Sequence, residues 1–282
     1  MIISPLNQGA LARSYLFVPG DRPERFDKAW RSPADAIILD LEDAVAPDRK
    51  PWARGAISAW LNAARPVWIR CNAIGTAWFD EDLLLRRCEG VAGFFLPKAE
   101  RLPRVLIDLA RQRGFGLIPI VETAQGMRHA QALASAEGVV RLAFGSLDYQ
   151  VDLGIEGDDD ALLHARSQLV LSSRLAGKPP PIDGVTPSLT DEAQLQADTL
   201  RARRLGLGAK FCIHPAQVDT VHRCLSPSPA ERDWARRILE SMNASADGVV
   251  VVEGKMVDAP VLMRARCRAR PAGLTPPCGR RL

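Results

Sequence analysis

Eight short apolar runs recur along this 282-residue chain, most of them followed by a stretch with helical periodicity. They cover residues 14–20, 36–43, 67–73, 93–100, 116–123, 141–148, 181–186 and 209–215. Most are continuous rather than alternating, as expected of parallel strands covered on both faces. Amphipathic segments lie between them at 24–30, 50–63, 105–113, 127–134, 160–175 and 193–205. Strand and helix alternating eight times predict an α/β fold, a (β/α)8 TIM barrel. An open doubly wound sheet fits less well, because no glycine-rich dinucleotide fingerprint follows the first run.

The barrel domain is predicted over residues 1–225, with a C-terminal helical/hairpin extension over 226–282. The extension reads as a helix at 229–242, a valine-rich strand at 248–253, a turn at Gly254 and a second helix at 259–268. Its last dozen residues, rich in Pro and Gly, are expected to be disordered.

Composition narrows the partners. Hydrophobic residues make up 47% and charged residues 25%, the balance of a soluble globular protein. No apolar run reaches the roughly 18 residues of a membrane span, and no signal-peptide pattern opens the chain, so a cytoplasmic protein with no membrane partner is expected. Aromatics are 6% and do not interleave with the basic residues, which argues against nucleic acid. The six cysteines, Cys71, Cys88, Cys212, Cys224, Cys267 and Cys278, lack zinc-ligand spacing and are read as free thiols.

In a barrel of this kind chemistry sits at the carboxyl ends of the strands. Polar residues there are Glu42 and Asp43, Arg70 and Asn72, Lys98 and Glu100, Glu122, Asp148, Asp183 and His214. Glu122 and Asp148 each follow a strongly apolar run, and two carboxylates from adjacent strands can hold one hard divalent ion such as magnesium. They could equally cap helices or pair with arginines. Arg70, amid an apolar strand, suits a substrate carboxylate, or a salt bridge to Glu42 or Asp43. Asp40, Glu42 and Asp43 put three acids in four residues, which calls for a nearby cation; one of the pair Glu42 and Asp43 could act as a base. Arg13, Arg22, Arg25 and Lys28 surround the first run and could meet phosphate groups, or be solvated.

Several of these segments, taken in order, carry a resemblance. They are 14–20 (SYLFVPG), 38–45 (ILDLEDAV), 96–98 (LPK), 120–124 (IVETA), 145–148 (GSLD), 182–185 (IDGV) and 213–217 (IHPAQ). The chain resembles the citrate lyase β-subunit-like branch of the HpcH/HpaI aldolase superfamily, from about Arg13 to Arg268. That resemblance implies a carbon–carbon lyase using Mg2+ to cleave a malyl-, citramalyl- or citryl-type 3-hydroxyacyl thioester by retro-Claisen chemistry. It implies Glu122 and Asp148 as metal ligands and Arg70 as a substrate-binding residue, with Glu42 and Asp43 beside the site and Glu122 and Arg13 also touching substrate. It further implies Asp258, in 254–258 (GKMVD), as an acid reaching a neighbouring subunit's site, hence a homo-oligomer, a trimer or a multiple of one; the residues themselves equally fit Asp258 as a helix N-cap before Ala259-Pro260. The expected partner is an acyl-CoA or acyl-carrier-protein thioester. A pyruvate-type aldolase acting on free hydroxy-keto acids, or a non-catalytic or complex-dependent subunit, remains the alternative. The chain departs from the pattern at Ser146-Leu147-Asp148, where relatives often carry Thr-Glu-Asp, and at Thr186, where an aromatic residue is frequent.

Overall fold

The computed structural model describes residues 11–243, 250–252 and 254–269. Eight parallel strands close into a barrel in sequence order: β1 (Ser14–Pro19), β2 (Ala36–Asp40), β3 (Val67–Arg70), β4 (Val91–Leu96), β5 (Gly116–Val121), β6 (Ala143–Phe144), β7 (Ile182–Asp183) and β8 (Ala209–Cys212). The last strand returns to the first, with Ser14 opposite Lys210. The predicted (β/α)8 barrel is therefore the fold of the chain.

The continuous apolar runs hide an alternation of period two, because each strand feeds two cores. Tyr15, Ile38, Trp68, Phe95, Ile118 and Phe211 point into the barrel. Their neighbours Leu16, Ile37, Leu39, Ile69, Phe94 and Leu117 point outward, under the helices. Phe95 anchors the interior, with edge-on or tilted rings of Tyr15 at 5.6 Å, Trp68 at 5.5 Å and Phe211 at 5.7 Å. Large side chains fill the barrel, so only its mouth is left for a ligand.

The strands end earlier than the apolar runs do, and most sharply in two cases. β6 and β7 have two residues each, and 146–148 belongs not to a strand but to the helix Ser146–Leu153. Asp148 thus rides on the first turn of a helix.

After the barrel come the helix Pro229–Asn243, the antiparallel pair β9 (Val250–Val252) and β10 (Lys255–Val257), and the helix Ala259–Ala269. Ser228 and Glu231 form a reciprocal capping box at the start of the first, Glu231 N–H donating to Ser228 Oγ at 3.1 Å and Ser228 N–H to Glu231 Oε2 at 2.8 Å. Ala235, Ile238, Val257 and Ala265 make a small core of their own. Glu231 also pairs with Arg203 on the helix Glu192–Leu205 at 2.8 Å, tying this unit to the barrel. The expected disorder of the final residues concerns positions outside the described ones.

Two further expectations meet the structure here. Among the described residues no helix is long and apolar enough to cross a membrane. Cys71, Cys88, Cys212 and Cys224 are free thiols. Cys267 is not: it is disulfide-bonded, which corrects the reading of six free cysteines. Cys278 lies outside the described residues.

Candidate active site

The mouth of the barrel is built from β2 to β5 as an acid cluster threaded by two cations. Asp40 ends β2 and stands in register with Arg70, which ends β3. Arg70 donates to both carboxylate oxygens of Asp40, from Nε at 2.7 Å and from Nη2 at 2.6 Å. Its Nη1 lies 2.8 Å from Glu42 Oε2 and 3.4 Å from Asp43 Oδ2. The guanidinium also lies over the Phe17 ring, 4.8 Å from its centre. Burial disfavours the charge of Arg70, but Asp40, Glu42 and Asp43 outweigh it and raise its proton affinity.

Lys98, two residues past β4, is the second cation. Its backbone adopts a left-handed conformation, φ 48°, uncommon for a residue with a side chain. That turn lets one residue serve three acids. Its backbone N–H donates to Glu122 Oε1 at 2.6 Å, and its amine donates to Glu42 Oε1 at 2.6 Å and lies 3.4 Å from Asp148 Oδ1.

Glu122 follows β5 directly and is buried. Burial, and next the charge of Asp148, push its carboxyl up to about 8, while the Lys98 N–H pulls the other way. Gly145 closes over it: a Cβ at that position would overlap Glu122 Oε2. The same holds at Gly184, where a Cβ would overlap Ser146 Oγ. These two glycines let the loop after β6 close on Glu122 and the loop after β7 close on Ser146. Burial likewise pushes Glu42 up to about 7, against the pull of Arg70 and Lys98 and with help from Asp43.

Supporting contacts fix the acid-bearing loop. The buried amine of Lys50 donates to the carbonyls of Leu41 and Glu42, both at 2.8 Å. Asn72 Nδ2 donates to Leu41 O at 3.0 Å and to Asp82 Oδ2 at 2.6 Å. Asp82 is in turn paired with Arg54 at 3.0 Å.

These groups open on a cleft of about 380 Å³. One side is polar, with Asp40, Asp43, Arg70, Glu122, Ser146 and Asp148; the other is apolar, with Phe17, Ile120, Val185, Phe211 and Ile213. A second cleft of about 350 Å³ shares Phe17, Pro19 and Ile213 with the first and adds Arg25, Lys28 and His214. Among the described residues no three His, Cys, Asp or Glu side chains group as a ready metal cage; Glu122 and Asp148 both line the cleft.

The family model for HpcH/HpaI aldolase/citrate lyase matches residues 13–215. The chain belongs to the HpcH/HpaI aldolase/citrate lyase family. Within it the chain falls in the citrate lyase β-subunit-like branch, among the carbon–carbon lyases. It is 36% identical to a citrate lyase subunit beta-like protein of Deinococcus radiodurans, over 91% of this chain and 96% of that one. It is 34% identical to a (3S)-malyl-CoA thioesterase of Cereibacter sphaeroides, over 90% and 92%. Among solved structures, CitE of Mycobacterium tuberculosis in complex with magnesium, acetoacetate and coenzyme A superposes with a TM-score of 0.83 at 36% identity, covering 94% of this chain and 99% of that one.

In this member of the family Arg70, Glu42, Asp43, Glu122 and Asp148 come together at the barrel mouth. Arg13 does not. It precedes β1, at the opposite end of the barrel, where its guanidinium pairs with Asp35 at 3.2 Å and donates to Ser226 Oγ at 3.1 Å. The physical reason is direction: a residue before a parallel strand lies on the face away from the strand ends that bear the site. Asp258 does not line the cleft either; within its own chain it caps the helix Ala259–Ala269, accepting from Val261 N at 3.3 Å. Asp183 is buried beneath the mouth, held by Arg166 at 2.8 Å and near Lys210 at 3.6 Å, so it is structural. His214 Nδ1 accepts from Ala216 N at 3.2 Å and caps the turn that follows. Sequence reasoning misses Asp40 as a partner of Arg70, and also misses Lys50, Gly145 and Phe17. A pairing rule could have found Asp40, since it and Arg70 end neighbouring strands in register.

Proposed function

We propose that this chain is a magnesium-dependent lyase that cleaves a 3-hydroxyacyl-CoA thioester into an acetyl thioester and a keto acid. The observation that carries the reading is that Glu122 and Asp148 both line the cleft with Arg70 and share Lys98, whose N–H donates to Glu122 and whose amine lies 3.4 Å from Asp148. Two carboxylates on one cleft, one of them buried and driven up to about 8 in part by the charge of the other, form a site that a divalent cation relieves. The cradle that Gly145 leaves around Glu122 Oε2 fits the same use. Magnesium needs only one or two protein carboxylates, because water and substrate oxygens complete its shell. Glu122 and Asp148 would hold it, and it would supply a Lewis acid for charge that develops on oxygen.

The chain's own residues do the rest. Arg70 is fixed on Asp40 through Nε and one Nη2 proton and on Glu42 through Nη1, and it borders the cleft, where its second Nη2 proton is left to meet a substrate carboxylate. Of the pair Glu42 and Asp43, Asp43 borders the cleft. It takes the proton from the substrate hydroxyl, while Glu42 holds Arg70 and Lys98 in place. As that proton leaves, the carbinol carbon becomes the carbonyl of a 2-oxo acid, the adjacent carbon–carbon bond breaks, and its electron pair passes to the thioester as an enolate. A proton then returns to the enolate carbon, from water or from Asp258 of a neighbouring copy in a homo-oligomer, a trimer or a multiple. The second cleft, continuous with the first and bearing Arg25 and Lys28, suits the phosphates of coenzyme A.

Purified protein incubated with malyl-CoA, citramalyl-CoA and citryl-CoA, with magnesium or with chelator, tests the reading. Magnesium-dependent appearance of acetyl-CoA and a keto acid is the expected result. Release of free coenzyme A with no keto acid would instead identify thioester hydrolysis, and no reaction of any thioester would overturn the proposal.

A further inference from the structure

Two loops, one after β7 and one after β8, bring Val185 and Ile213 to the apolar side of the cleft, and a single buried side chain joins them. Gln217, 2% exposed, ends the short turn Pro215–Gln217. Its Nε2 donates to Thr186 O at 3.0 Å and to Ser188 O at 3.1 Å, across the gap to the β7 loop. Its Oε1 accepts from Ile213 N at 2.9 Å, on its own loop. The amide thus uses both donors and its acceptor, and it spans the two segments that carry Val185 and Ile213 into the cleft. Gln217 itself does not line the cleft.

The β7 loop is fixed on its other sides as well. Lys210 Nζ donates to Gly184 O at 2.8 Å, and Thr186 Oγ1 donates to Asp198 Oδ2 at 2.7 Å. Those bonds tie the loop to β8 and to the helix Glu192–Leu205, but neither reaches Ile213. Of these bonds, those of the Gln217 amide alone join the Val185 loop to Ile213 itself.

We infer that Gln217 is a positioning residue that sets the width of the apolar wall, and through it the size of the substituent accepted on the carbinol carbon of the substrate. The inference rests on the reading of the cleft as a thioester lyase site. A site that accepts or rejects one methyl group by shape discriminates by roughly ten- to two-hundredfold, and loosening the wall erodes that ratio.

The test compares wild type, Gln217→Met and Gln217→Glu. Methionine keeps the length and loses all three bonds; glutamate keeps an oxygen for the Ile213 N–H. Steady-state kinetics on malyl-CoA and citramalyl-CoA, which differ by one methyl group, give the ratio of kcat/KM. Hydrogen exchange over residues 184–188 and 213–217 reports loop order separately. The expected result is a ratio that collapses by about tenfold in Gln217→Met and less in Gln217→Glu, with faster exchange in both segments. An unchanged ratio, or exchange no faster than wild type, overturns the inference while leaving the lyase reading intact. Should wild type cleave neither thioester, the lyase reading fails, and the size-setting role fails with it. Exchange would then report only whether Gln217 ties the two loops.

Discussion

Asp40 receives two hydrogen bonds from Arg70, at 2.7 and 2.6 Å, so the guanidinium that faces the cleft from β3 is fixed by the neighbouring strand. Asp40→Asn removes the charge from the most buried partner and leaves Glu42 and Asp43 to hold the arginine. The expected cost is about 2 kcal/mol in urea unfolding, the range for hydrogen bonds to charged groups. KM for the thioester should rise as the arginine loses its aim. An unchanged KM would show that the orientation of Arg70 does not depend on Asp40.

Glu122→Gln keeps the shape of the side chain and removes its charge. Magnesium binding by calorimetry should disappear, and turnover should fall on the order of a thousandfold. The pH behaviour in chelator follows from the raised carboxyl. A carboxyl near 8 in the folded chain and near the ordinary 4.3 in the unfolded one binds more protons when folded. Its ionisation therefore destabilises the fold as pH climbs through that window. Wild type in chelator should lose melting temperature between about pH 5 and 8, and Glu122→Gln should lose less. Parallel curves for the two proteins would remove the electrostatic basis for a cation site at Glu122.

Gly145→Ala places a methyl group against Glu122 Oε2. The carboxylate must shift, and magnesium affinity should drop by about ten- to a hundredfold, as for a disturbed supporting shell. Titration of magnesium against the variant measures this directly. Retained affinity would mean that the loop after β6 yields rather than the glutamate.

The far end of the barrel has its own titration. Burial favours the neutral form of Asp35, but hydrogen bonds from His222 and Arg13 prevail and hold its carboxyl well below the usual range. A depressed carboxyl contributes stability above its unfolded value, and that contribution fades as pH falls below about 4. Asp35→Asn should cost about 1–2 kcal/mol at pH 7 and progressively less in acid. Neither this variant nor Arg13→Ala should alter KM, because both residues lie at the face opposite the site. A raised KM in Arg13→Ala would restore Arg13 to the substrate.

The barrel is legible in the chain because its apolar runs are covered on both faces. The residues just past those runs fall at one mouth because all eight strands are parallel. Arg13 misleads because closeness to a strand in sequence says nothing about which end it occupies. The apolar run 141–148 puts Asp148 at a strand end, whereas β6 stops at Phe144 and the next residues turn straight into a helix. The roles of Lys98 and Lys50 are beyond the reach of sequence patterns. Their partners are loop carbonyls and acids on other strands, and only the closed barrel brings them within 3 Å.

The acids and cations of the mouth come mainly from β2 to β5, while Val185, Phe211 and Ile213 of the apolar lining come from β7, β8 and the loops after them. Most of the charge and this part of the apolar lining thus lie on different arcs of the ring. Libraries randomised at Val185 and Ile213 retune which acyl group enters while leaving Phe211 and Phe17, and with them the seat of Arg70, in place. Lineages descending from such a scaffold would have had the same freedom to diversify.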